Sequence, residues 1–97
     1  HNFSLGMNIV KSMIEKLSKA SQLFEDHSFH IHEVHHTQKL DAPSGTALSF
    51  QKWLNSPSEI TSDRTGDIIG EHTITFDCPD EKIVLSHSAK DRSIFEL

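Results

Sequence analysis

The apolar residues Ile9, Val10, Met13, Ile14, Leu17, Ala20 and Phe24 recur every three or four positions, with Lys11, Glu15, Lys16 and Lys19 between them. That period predicts an amphipathic helix with an apolar stripe against a core, capped at its start by Asn2 or Ser4. Over residues 29–36 the period drops to two. Phe29, Ile31, Glu33 and His35 share one face, and His30, His32, Val34 and His36 share the other. Neither face is uniformly apolar, so the spacing predicts a strand with a core on one side and a cleft or partner on the other. A loop over residues 37–43 ends at a proline. Ser44-Gly45-Thr46 then opens a second helix carrying Ala47, Leu48, Phe50, Trp53 and Leu54, closed by Asn55-Ser56-Pro57-Ser58. Strands follow at 59–64, 68–77 and 82–88, with Thr65-Gly66-Asp67 as a hairpin turn and Pro79-Asp80 as a second turn. Strands in succession plus two helices predict an α+β fold, a mixed, largely antiparallel open sheet with helices packed on one face.

Composition narrows the function classes. The chain has 97 residues, enough for one domain. Nine Lys and Arg against fourteen Asp and Glu give a net charge of −5, and no basic run occurs, so nucleic acid is not an expected partner. No apolar run approaches the ~20 residues that span a bilayer, so a membrane is not expected either. A single cysteine, Cys78, excludes an intrachain disulfide and fits a reducing cytosol. Cys78 alternates with core positions and is expected to be buried and inert. Asp67, Glu71 and His72 read as a polar turn-and-strand surface.

The densest polar chemistry lies in residues 35–47. The first four amides of a helix lack intrahelical partners, and the helix dipole adds partial positive charge there. Ser44-Gly45-Thr46 at such an end forms a carboxylate or phosphate cradle, because Gly45 admits an anion close to the backbone and two hydroxyls add donors. The alternative is a plain helix cap. Just upstream, His35, His36 and Lys39 offer proton donors and a positive charge, which together with the cradle point to a small acidic substrate. A solvated polar loop is the alternative for that trio. Eight histidines, five of them between His27 and His36, also raise a metal reading, with His30 and His32 on one strand face. There is no HExxH pattern and no cysteine pair, so no metal site is expected.

The stretch HHTQKLDAPSGTA, His35 to Ala47, resembles the HHxxKxDAPSGTA signature of the dihydrodipicolinate reductase family. Asn2-Phe3-Ser4-Leu5-Gly6-Met7-Asn8 is similar to the family's NFSxGxN. The run from Arg64 to Thr73 is similar to RxGDIxGEHT, and His87-Ser88-Ala89 with Arg92 and Phe95 to HxAxxRxxF. The resemblance implies that the whole chain, residues 1–97, is the C-terminal substrate-binding and tetramerisation domain of a cytoplasmic reductase of the diaminopimelate route to lysine. It implies a cyclic dicarboxylate substrate, 4-hydroxy-tetrahydrodipicolinate, reduced with NADPH or NADH, and a homotetramer formed through the sheet. By the same resemblance His35 is a proton donor and acceptor, and Lys39 is a proton donor. His36, Ser44, Gly45 and Thr46 bind substrate, while Asn2 and Phe3 contact the nicotinamide cofactor. The family's N-terminal Rossmann domain is expected to be absent from this chain, which is then inactive by itself. Beside that absence, two further departures from the family pattern stand out: a short connection between Trp53 and Arg64, and the stop at Leu97 with Glu96 at a usual alanine. A non-catalytic oligomerisation or anion-binding module on the same scaffold is the alternative.

Overall fold

The computed structural model describes residues 4–36, 43–91 and 94. Helix α1 (Leu5–Ala20) starts at Ser4, whose hydroxyl accepts from the Met7 amide at 3.1 Å, and ends in a short 3₁₀ turn, Ser21–Leu23. The first strand, β1 (Ser28–His35), follows, then α2 (Gly45–Leu54). Asn55 stops α2 in the left-handed conformation at φ 50°, where a short polar side chain is tolerated. Strands β2 (Ser58–Arg64), β3 (Gly70–Asp77) and β4 (Lys82–Ala89) complete the chain.

The sheet order is β2-β1-β3-β4, with β1 parallel to β2 and antiparallel to β3, and β3 antiparallel to β4. The expected mixed, largely antiparallel sheet is therefore present. The expected hairpin at Thr65-Gly66-Asp67 is not, because β2 and β3 flank β1 from opposite sides and never pair. Gly66 does take a left-handed turn conformation at φ 52°, but the turn carries the chain past the end of β1, where the Thr65 amide donates to the His35 carbonyl at 2.9 Å. In its central place β1 buries Ile31 between Ile60 and Ile74, and Phe29 beside Phe76. The weakly apolar β2 takes an edge.

Both helices lie on one face. Met7, Val10 and Ile14 of α1 and Ala47, Phe50 and Leu54 of α2 pack on Phe29, Ile31, Ile74 and Phe76. Phe24 meets Phe76 edge-on at 5.2 Å, and Ser18 Oγ of α1 donates to the Leu54 carbonyl of α2. The α1 stripe is narrower than the periodicity suggests. Ile9 and Met13 each stand one residue, about 100°, off the buried Val10 and Ile14 and are roughly half exposed. Among the described residues the opposite sheet face carries no helix. There His30 pairs with Glu59 and Thr61, and His32 with Asp63 and Thr61, across the β1–β2 register.

Candidate active site

Along the helix-covered face the sheet changes character from one end to the other. Phe29 and Phe76, then Ile60, Ile31, Ile74 and Leu85, form apolar rows across the strands. The next row is polar from edge to edge, running Ser62, Glu33, His72 and His87 in register. Beyond it stand Arg64 and His35. The start of α2 comes down on this end, so the polar rows are roofed by a helix N-terminus rather than by solvent.

Glu33 is the centre of the cluster and is fully buried. His35 Nε2 donates to one carboxylate oxygen at 2.8 Å. The Ser44 amide donates to the other at 2.9 Å, as does the Ser62 hydroxyl at 2.8 Å. His72 Nε2 lies 3.6 Å from the first oxygen and 3.2 Å from Ser44 Oγ. Burial pushes the Glu33 carboxyl up, but the hydrogen bonds from Ser44 and Ser62 and the charge of His35 outweigh it, and the group is lowered to about 2. Glu33 is thus an ionised, acceptor-only carboxylate that ties the end of β1 to the start of α2.

His35 is on the helix-covered face, as the alternation predicts, and only 4% exposed. Its Nδ1 faces the Ile69 carbonyl at 3.4 Å, a long contact, so one ring edge is firmly held and the other loosely. His36 follows the strand and is half-buried. Ser44 is buried and caps α2, accepting from the Ala47 amide at 3.1 Å. Its hydroxyl and amide are thereby committed to the protein. Among the described residues no group accepts from the Gly45 or Thr46 amide, and a side chain at Gly45 would meet nothing within 4 Å. Among the described residues these two backbone donors face open space at that helix end, the arrangement that accepts an anion. The sequence-predicted Asn2, Phe3 and Lys39 lie outside the described residues.

Sequence reasoning misses one residue of this cluster and misreads another. Glu33 carried a signal, a carboxylate on the same strand face as Phe29 and Ile31. His72 is corrected from polar surface to fully buried core. It alternates with Ile74 and Phe76, and its ring lies tilted against Phe50 at 5.5 Å and edge-on to His35 at 5.0 Å. Its neighbours Asp67 and Glu71 are exposed. Cys78 is half-buried rather than buried, its thiol pushed up by burial and by Glu81, Asp77 and Asp80. Glu33, His35 and His72 present their donor atoms within 4.8 Å of one another, which is also the donor set of a two-histidine, one-carboxylate metal site. The hydrogen bonds above account for the Glu33 oxygens without an ion. A separate open hollow lined by His27, Ser28, Phe29, Pro57 and Ser58 lies at the opposite end of the sheet and touches none of this chemistry.

The comparisons with known proteins cover nearly the whole chain. Residues 6–97 match the family described as "Dihydrodipicolinate reductase, C-terminus". A 4-hydroxy-tetrahydrodipicolinate reductase from Thermosipho africanus is 42% identical over 97 residues, covering 100% of this chain and 43% of the relative. One from Bartonella quintana is 38% identical over 118 residues, covering 97% of this chain and 43% of the relative. The chain thus spans about two-fifths of the length of these relatives. The Thermosipho alignment has as many positions as this chain has residues, so the short link from α2 to β2 is shared with that relative. Among solved structures, a dipicolinate-bound dihydrodipicolinate reductase from Paenisporosarcina sp. TG-14 superposes with a TM-score of 0.69 at 27% identity. That match covers 88% of this chain and 41% of the other.

Proposed function

This chain belongs to the dihydrodipicolinate reductase C-terminal family, and from that premise we propose that it is the substrate-holding and proton-handling part of such a reductase. The observation that carries this reading is the convergence on one carboxylate. The Ser44 amide at the mouth of the anion cradle and the ring of His35 both donate to Glu33, at 2.9 and 2.8 Å. A substrate carboxylate on the Gly45 and Thr46 amides therefore lies one side chain away from a proton-carrying imidazole.

The reaction assigned to the whole protein is reduction of 4-hydroxy-tetrahydrodipicolinate, with loss of its hydroxyl as water, in the cytoplasm. The nicotinamide cofactor, NADPH or NADH, supplies hydride when bound. The four glycines, at 6, 45, 66 and 70, form no G-x-G-x-x-G turn, so these residues do not fit the dinucleotide phosphates. What this chain contributes is binding and proton traffic. The α2 amides and the Thr46 hydroxyl hold a carboxylate, His36 binds the substrate beside them, and Lys39 and His35 move protons as charge develops on the substrate. The helix-free face of the sheet is the surface through which copies assemble into a homotetramer.

The rival reading, a non-catalytic oligomerisation or anion-binding module, uses Glu33 only as the tie between β1 and α2 and needs no proton transfer at His35. In the full-length reductase, Lys39→Ala should lower kcat by about 10²-fold or more with the fold intact, as measured by steady-state turnover and circular dichroism. Wild-type turnover in that variant would remove the proton-donor role.

A further inference from the structure

We propose that Glu33 is a positioning residue for the proton site, its buried carboxylate fixing the Nε2–H form of His35 so that Nδ1 is the nitrogen that takes and returns the proton. The inference deepens the reading of His35 as proton donor and acceptor and rests on it.

Hydrogen-bonding capacity decides the tautomer. An ionised carboxylate only accepts, so the 2.8 Å contact requires His35 to donate from Nε2. In the neutral ring Nδ1 then carries the lone pair, 3.4 Å from the Ile69 carbonyl, an acceptor that gains a hydrogen bond only once Nδ1 is protonated. When a proton arrives at Nδ1, the ring becomes an imidazolium whose charge the buried Glu33 offsets at close range. The second carboxylate oxygen is fixed in turn by the Ser44 amide and the Ser62 hydroxyl, at 2.9 and 2.8 Å, so the side chain has one orientation. Among the described residues, the other titratable groups on this face of the sheet are His72 from β3, 3.6 Å from the carboxylate, His87 from β4 beyond it, and Arg64 of β2 opposite His35. The ring and carboxylate are 5% and 0% exposed, so water does not compete for the bond.

Glutamine at position 33 tests this because it keeps the shape and removes the charge. The Ser44 amide is a donor that cannot turn, so the carbonyl oxygen of the substituted side chain must face it and the new amino group must face His35. His35 Nε2 then has to accept, which drives the ring to the Nδ1–H form and closes off the proton-accepting nitrogen. In the full-length reductase, Glu33→Gln should lower kcat by about 10²–10³-fold, with KM for the dicarboxylate changed less than about threefold. Glu33→Asp, which keeps the charge, should recover at least about tenfold of that loss. Solid-state NMR of ¹⁵N-histidine-labelled enzyme should show the His35 tautomer reversed in Glu33→Gln, with His35 assigned by its absence in His35→Asn. A purely structural role for Glu33 would leave the tautomer unchanged in the folded fraction, and that result overturns the proposal. An inactive His35→Asn beside a fully active Glu33→Gln also overturns it, while the His35 reading stands. A fully active His35→Asn overturns both.

Discussion

Replacing His35 with asparagine in the full-length reductase should lower kcat by about 10²–10⁴-fold, the range general acid–base groups supply, and leave KM within a few-fold. The expectation follows from where the ring is held. His35 is 4% exposed, its Nε2 locked to Glu33 at 2.8 Å and its Nδ1 in loose contact with the Ile69 carbonyl at 3.4 Å. Substrate affinity is assigned to other atoms, the amides of Gly45 and Thr46, so KM and kcat should separate. Asparagine retains a donor for Glu33 and limits the structural cost of the change. Steady-state kinetics with the purified variant decides the matter. A KM raised with kcat unchanged would make His35 a binding group and not a proton carrier.

The second large effect is expected at Phe50. This residue is 1% exposed, stacks near Trp53 at 5.7 Å and near His72 at 5.5 Å, and so joins the hydrophobic core to the buried polar row. Phe50→Ala removes the contact and leaves a cavity, at a cost of about 3–5 kcal/mol. In a domain of this size each kcal/mol moves the midpoint by roughly 4–8 °C, so thermal unfolding should shift down by about 15 °C or more. Leu48→Ala on the exposed side of the same helix, where Leu48 is 48% exposed, should change stability by less than about 0.5 kcal/mol. Equal shifts for the two variants would mean that α2 is not anchored through Phe50.

Much of this fold was legible because its elements obey simple periods. Alternation placed Glu33 and His35 on one face of β1 and His30 and His32 on the other, and both faces are as expected. Ser44 was legible as a cap, because a serine before Gly45-Thr46-Ala47 satisfies an orphan amide. Strand partners were less legible. A turn such as Thr65-Gly66-Asp67 looks the same whether it closes a hairpin or steps over a third strand, since local backbone preferences carry no record of which edge is paired. The site was half visible for the same reason. His35 stood out within a signature, whereas Glu33 and His72 become a unit only when β1 and β3 pair and bring their side chains to adjacent positions. Charge alone marked His72 as surface, and its alternation with Ile74 and Phe76 was the better guide.

Everything proposed for this domain depends on the start of α2 being the dicarboxylate site. The direct measurement is the ¹H–¹⁵N spectrum of the protein titrated with dipicolinate, reading the backbone amides of Gly45 and Thr46. These two resonances are expected to shift most and saturate together, with smaller shifts at Ser44 and His35 and none around His27 and Pro57. Saturable shifts centred on that opposite hollow, with Gly45 and Thr46 unmoved, would contradict the assignment.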